Sequence, residues 1–128
     1  MSDEFSKMDK YMEALPRKVR VGLLYGVYGG LLNENRRRVL AMWLDEDYSL
    51  AEIAAEENIS RQGVYDSVKK SEQILSQTEQ QLGVVRRMLI QDSIMRACER
   101  AGELPESVTQ AFDAMRQLWE DNPLPLKD

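Results

Sequence analysis

Two serines suited to capping helices, Ser49 and Ser60, stand eleven residues apart, with Asn58 and Ile59 just before the second, and few folds accommodate that spacing. Ser49 with Glu52 three residues on has the form of a capping box, in which the hydroxyl accepts from the Glu52 amide and the carboxylate reaches back to the cap amide. The helix so opened has room for only two turns before Asn58. Asparagine tolerates the left-handed backbone that a sharp turn needs, and Ser60 caps the helix that follows. Ile59 is placed to plug the angle between the two. Leu50, Ile53 and Ala54 fall at core spacing, and the small Ala54 lets the second helix cross closely. The pattern predicts a helix-turn-helix.

The rest of the chain supplies helices to pack around it. No run of β-branched residues alternates with polar ones, whereas apolar residues recur at helical spacing along most of the length, so the fold class is all-α. A first helix is expected from about Phe5 to Leu15, stopped by Pro16. A second runs from about Arg17 to Leu31 with Val21, Leu24, Tyr25, Tyr28 and Leu31 or Leu32 on one side. Gly22, Gly26 and Gly29 weaken it by roughly 1 kcal/mol each relative to alanine, which points to close helix approach, unless the helix ends at Gly29-Gly30 and the other two are merely tolerated. Asn33 caps a third helix, Glu34 to Leu44, carrying Val39, Leu40, Trp43 and Leu44. The helix after Ser60 keeps Val64, Val68, Leu75 and Leu82 on one face. Gly83 kinks or ends it, and an amphipathic stretch continues from Val84 to Ala101 through Val85, Met88, Leu89 and Met95. Gly102 then reads as a C-terminal cap. Pro105 begins a last helix to Glu120 with Val108, Phe112, Met115, Leu118 and Trp119. Residues 1–82 form a core with N-terminal helices and 83–128 a long helical extension, together one folding unit.

Composition narrows the chemistry. Among 128 residues there is no histidine and a single cysteine, Cys98, which removes histidine triads, His-ligated metals, disulfide frameworks and paired-thiol redox sites. No carboxylate pair, phosphate loop or activated nucleophile stands out, and Asp45-Glu46-Asp47 lacks the ligand spacing of a calcium loop. The reading is a binding protein, not an enzyme, with no cofactor and no metal. Cys98 is expected to be a small buried hydrophobe. Residues 1–10 are polar and acidic, and the apolar run from Val21 to Leu32 is short and glycine-rich, so neither a secretory signal nor a membrane span is expected and the place is the cytoplasm.

A net charge of −5 repels polyanions in general, so any nucleic-acid contact must be local. The acidity is uneven. Residues 31–58 hold three Lys and Arg against seven carboxylates and 102–128 two against six, while 59–82 are neutral with three of each and 83–101 hold four cations against two acids. In a helix-turn-helix the start of the second helix commonly faces the nucleic acid, which selects Arg61, Gln62, Tyr65, Lys69 and Lys70. Arg61 and Gln62 suit base edges; Lys69 and Lys70 suit phosphates. Asp66 lies amid them and reads a cytosine amino group or repels the backbone. A plain solvated face is the competing interpretation. Arg36, Arg37 and Arg38 with Arg86, Arg87, Arg96 and Arg100 offer another electropositive stripe, against which stands ordinary intrahelical pairing, Arg96 with Asp92 or Glu99.

The segments Leu15-Pro16-Arg17-Lys18-Val19-Arg20-Val21-Gly22-Leu23-Leu24-Tyr25 and Asn58-Ile59-Ser60-Arg61-Gln62-Gly63-Val64-Tyr65-Asp66, with Tyr28 and Leu31-Leu32, resemble the YlxM family of helix-turn-helix proteins linked to the bacterial signal recognition particle. The likeness covers roughly residues 15–100. The motif itself also resembles the promoter-reading C-terminal domain of sigma factors. The resemblance implies a non-enzymatic accessory or regulatory protein of the particle's pathway, binding its RNA or its GTPase. A DNA-reading transcription regulator is a second expectation. A third is a homodimer that uses the glycine-lined face at 22–30 and the long helix after Ser60, with the helix-turn-helix as scaffold.

Overall fold

A computed structural model describes residues 10–121, with side chains described as far as Gln117. Residues 10–14 are helical, and the part of the first expected helix before them lies outside the described residues, as do the Leu118 and Trp119 side chains. Six longer helices follow: α1 (Arg17–Tyr28), α2 (Glu34–Leu44), α3 (Leu50–Glu57), α4 (Arg61–Leu82), α5 (Val84–Ala101) and α6 (Glu106–Asp121). A 3₁₀ turn, Gly29–Leu31, closes α1. The described residues contain no strand, so the fold is all-α.

Each boundary has a local cause. The Asn33 side chain accepts from the Arg36 amide at 2.8 Å and opens α2. Ser49 and Glu52 form the complete capping box of α3. Asn58 takes the left-handed conformation at φ 55°, ψ 47°, which turns the chain, and Ser60 Oγ accepts from the Gly63 amide at 2.9 Å to start α4. Gly83, at φ 64°, ends α4 and begins α5 in a single residue, so the break is a stop and not a gentle kink. An added Cβ there would both strain the backbone and crowd the Arg86 guanidinium.

Helix α4 is the axis of the molecule: α1, α2 and α3 all pack on it, and α5 folds back onto α1. Val21, Leu24, Tyr25 and Tyr28 of α1, Val39 and Leu40 of α2, Ile53 and Ala54 of α3, Val64, Val68 and Leu75 of α4 and Val85 of α5 share one core. Fully burying side chains such as Leu40, Ile53 and Leu75 stabilises the fold by roughly 1.5–3 kcal/mol each. Gly29 is buried against the Tyr25 ring, where a Cβ would collide, and Gly26 is buried too. The crowding at Gly29 comes from Tyr25 of the same helix, an added Cβ at half-buried Gly22 would meet Leu44 only at 4.0 Å, and Gly30 is exposed.

Several apolar positions lie differently from expectation. Leu32 is buried and Leu31 is exposed, because the 3₁₀ turn rotates the chain out of α-helical register. Leu50 is exposed at the first residue of α3, and Ile59 is only partly covered, so the turn rests on Asn58 more than on a plug. On α4 the face defined by Val64, Val68 and Leu75 continues through fully buried Ser71 to Glu79, while Leu82 is exposed. Ala101 is exposed, Cys98 is half-buried and not fully so, and α6 begins at Glu106, one residue after Pro105.

Glu79 carries the least expected arrangement. Its Oε1 accepts from the Tyr28 hydroxyl at 2.6 Å and the Val85 amide at 3.0 Å, and its Oε2 accepts from the Arg86 amide at 3.0 Å. The Arg86 Nε lies 3.3 Å from the same Oε2, and the Val84 amide donates to the Tyr28 hydroxyl oxygen at 3.1 Å. One carboxylate thus caps the start of α5 from the preceding helix and ties both to α1, which is favourable at the positive end of a helix. Burial, and then the bond to Glu79, push the Tyr28 phenol up to about 12.

Candidate nucleic-acid interface

With about 3.6 residues per turn, the buried line Val64, Val68, Leu75 forces residues 62, 66, 69 and 73 of α4 to point outward. Arg61, Gln62, Tyr65, Lys69 and Lys70 are all exposed there, Tyr65 by 51%. Arg61, Tyr65, Lys69 and Gln62 follow one another around one side of the helix, and Lys70 lies toward the opposite edge. Among the described residues none forms an ion pair with Arg61, Lys69 or Lys70. Gln62 is engaged: its Nε2 donates to Asp66 Oδ1 at 2.9 Å. That bond fixes the amide and occupies one oxygen of the carboxylate at the centre of the face.

The edge facing α1 is closed by a contact that the sequence reading missed. Arg17 Nε lies 3.1 Å and its Nη2 3.1 Å from the Glu72 carboxylate, and Arg20 approaches it at 3.7 Å. The hydrogen bond to Glu72, and then its charge, hold the Arg17 guanidinium still more firmly charged. Trp43 of α2 lies under two of the three cations of the first turn of α1, with Arg17 Cζ 5.0 Å and Lys18 Nζ 5.1 Å from its ring centroid. One signal was available: Arg17, Lys18 and Arg20 crowd the first turn of a helix with no acidic residue there, the end where the helix dipole disfavours cations.

A family model describing YlxM / p13-like helix-turn-helix proteins, UPF0122, matches residues 15–115. The chain belongs to this family. A UPF0122 protein of Acetivibrio thermocellus is 44% identical over 84 residues, 66% of each chain. One from Exiguobacterium is 32% identical over 104 residues, 81% of this chain and 97% of the relative, and one from Thermoanaerobacter pseudethanolicus is 39% identical over 108 residues, 79% and 92%.

Five of the seven arginines of the second stripe are engaged within the chain, while Arg36 and Arg100 form no ion pair with a described residue. Arg38 donates to Glu57 through Nε at 3.0 Å and Nη2 at 3.3 Å, clamping α2 to the end of α3. Arg37 Nη2 reaches the Leu32 carbonyl at 3.5 Å, and Arg87 Nη1 the Leu82 carbonyl at 2.8 Å. Arg86 belongs to the Glu79 junction. Arg96 pairs with Asp92 at 2.8 Å, as the intrahelical reading has it, but Glu99 turns to Arg116 of α6 with bonds of 2.9 and 2.7 Å. Between α5 and α6 lies an open cleft of about 230 Å³ lined mainly by Met88, Leu89, Met95 and Met115, with Asp92 and Arg116 at its edge. Among the described residues no cluster of His, Cys, Asp or Glu could hold a metal ion, and no helix is long and apolar enough to cross a membrane.

Proposed function

We propose that the protein is a non-catalytic accessory of the signal recognition particle pathway in the cytosol, binding the particle's RNA through the first half of α4. The observation that carries this reading is the set of exposed cations with no ion pair to any described residue, Arg61 and Lys69 on either side of exposed Tyr65 and Lys70 further round the helix. Desolvating and pairing these charges is left to a ligand. RNA fits better than a duplex DNA groove for a physical reason. Gln62, the side chain best suited to adenine, is already bonded to Asp66, and that carboxylate faces outward where a groove would lie. Unpaired RNA instead asks for an aromatic surface flanked by cations, which Tyr65, Arg61 and Lys69 supply.

Titration of the protein with labelled particle RNA and with random duplex DNA, over a range of salt, tests the assignment. RNA binding that steepens at low salt and is lost in Arg61→Glu with Lys69→Glu supports it. Preference for duplex DNA makes the protein a transcription regulator reading with the same helix, and binding to neither, with capture by the particle's GTPase, moves the contact to protein. A homodimer draws separately on Leu82 and Ile94, exposed by 51% and 56% at the end of α4 and on α5. Light scattering that finds a strict monomer at high concentration removes it.

A further inference from the structure

The exposed face of α4 does not end at Tyr65. Glu72 on the same edge of α4 is gripped by Arg17 and Arg20, so the first turn of α1 is fastened beside the proposed binding face. Arg17, Lys18, Arg20, Arg61 and Lys69 then flank this edge, on which Glu72 is paired with two arginines and Asp66 is bonded to Gln62. Arg17 is held by its hydrogen bonds to Glu72 and by the Trp43 ring. The helix dipole opposes three cations in the first turn of α1; the pairing with Glu72 accounts for Arg17 and Arg20, whereas Lys18 forms no ion pair with a described residue. Trp43 keeps Lys18 from ranging freely by holding its ammonium over the ring.

We infer that Lys18, positioned by Trp43 and flanked by Arg17, is a second row of phosphate contact, so that a nucleic-acid strand crosses from α4 onto the first turn of α1. The inference rests on the nucleic-acid reading of α4 and extends it to a second helix. The ligand chemistry is a phosphodiester chain; single-stranded RNA, duplex RNA and duplex DNA are its candidate sources. Arg17 is a positioning residue, because its guanidinium is already bonded to Glu72, whereas among the described residues the Lys18 ammonium has the ring beside it and no ion pair.

The test is anisotropy titration of fluorescein-labelled random single-stranded RNA, duplex RNA and duplex DNA at several salt concentrations, against wild type, K18E, K18R and Arg61→Glu with Lys69→Glu. A parallel measurement follows Trp43 emission in a Trp119→Phe background, which leaves one tryptophan of two. K18E should weaken binding roughly three- to tenfold and reduce the log–log salt slope by about 0.7 on single strands or 0.9 on duplex, with K18R close to wild type. Trp43 emission should shift on binding. K18E exchanges the ring contact for a charge that the helix dipole favours, so its thermal midpoint should stay near wild type and unfolding cannot imitate the result. The probe with the largest loss identifies the strand. Wild-type affinity and slope in K18E with a silent Trp43, while the α4 variant loses binding, overturns this inference and leaves the α4 reading standing. No binding of any probe by wild type at low salt overturns both.

Discussion

The two ends of α4 use charge in opposite ways. Over its first three turns Arg61, Lys69 and Lys70 are solvated and unpaired among the described residues, and only Gln62 and Asp66 are bonded to each other. In its last turns Glu79 is buried, with both carboxylate oxygens committed to Tyr28, Val85 and Arg86. A charge satisfied inside the protein is part of the fold, and one left in water is available to a ligand. The same helix therefore serves as scaffold at one end and as a candidate contact surface at the other.

Substitutions at the two ends should separate in size. The largest effect is expected from Glu79→Leu, which removes the carboxylate beside the Arg86 guanidinium and strands two amides and a phenol; breaking such a buried pair costs about 3–5 kcal/mol, read by urea unfolding. A loss below about 1 kcal/mol would show the junction to be solvated and the contrast to be false. Tyr28→Phe should cost about 1–3 kcal/mol, because Glu79 and the Val84 amide each lose a partner. Its pH dependence is a separate check. Tyr28 titrates near 12 when folded against 10.0 ordinarily, so its contribution is intact below about pH 10 and is lost as pH rises through about 12. Tyr28→Phe should flatten that alkaline decline.

At the turn, Asn58→Val should cost about 1–2 kcal/mol and Asn58→Gly little, since only the left-handed backbone is at stake. Arg61→Glu with Lys69→Glu should change stability by no more than about 0.5 kcal/mol, as expected for solvated positions. The smallest effect belongs to Glu99, whose carboxyl the Arg116 guanidinium holds below the usual carboxylate range. Its tether of α6 to α5 is present above that range and lost as pH falls through its lowered value, seen as faster hydrogen exchange in α6 that Glu99→Gln makes independent of acid.

The helix-turn-helix was legible because its signals are local. Ser49 with Glu52, Asn58 and Ser60 act on amides a few residues away, and each does what its chemistry dictates. Glu79 was not legible. In an amphipathic helix a carboxylate reads as solvent-facing, and what buries it is Tyr28, 51 residues earlier, together with a helix start created by Gly83. Ser71 went unread for the same reason, its hydroxyl hiding a fully buried position. Leu50, Ile59 and Leu82 erred the other way: apolar side chains near helix ends were credited to the core although the chain turns them outward. In the candidate site, the outward residues of α4 followed from periodicity alone. The approach of Arg17 and Lys18 to Trp43 did not, because it depends on how α1 and α2 pack.

The most direct measurement pairs an RNA titration with a urea melt on the same two proteins, wild type and Arg61→Glu with Lys69→Glu. The account predicts unchanged stability together with loss of salt-dependent RNA binding. Binding equal to wild type in a folded double variant would contradict it.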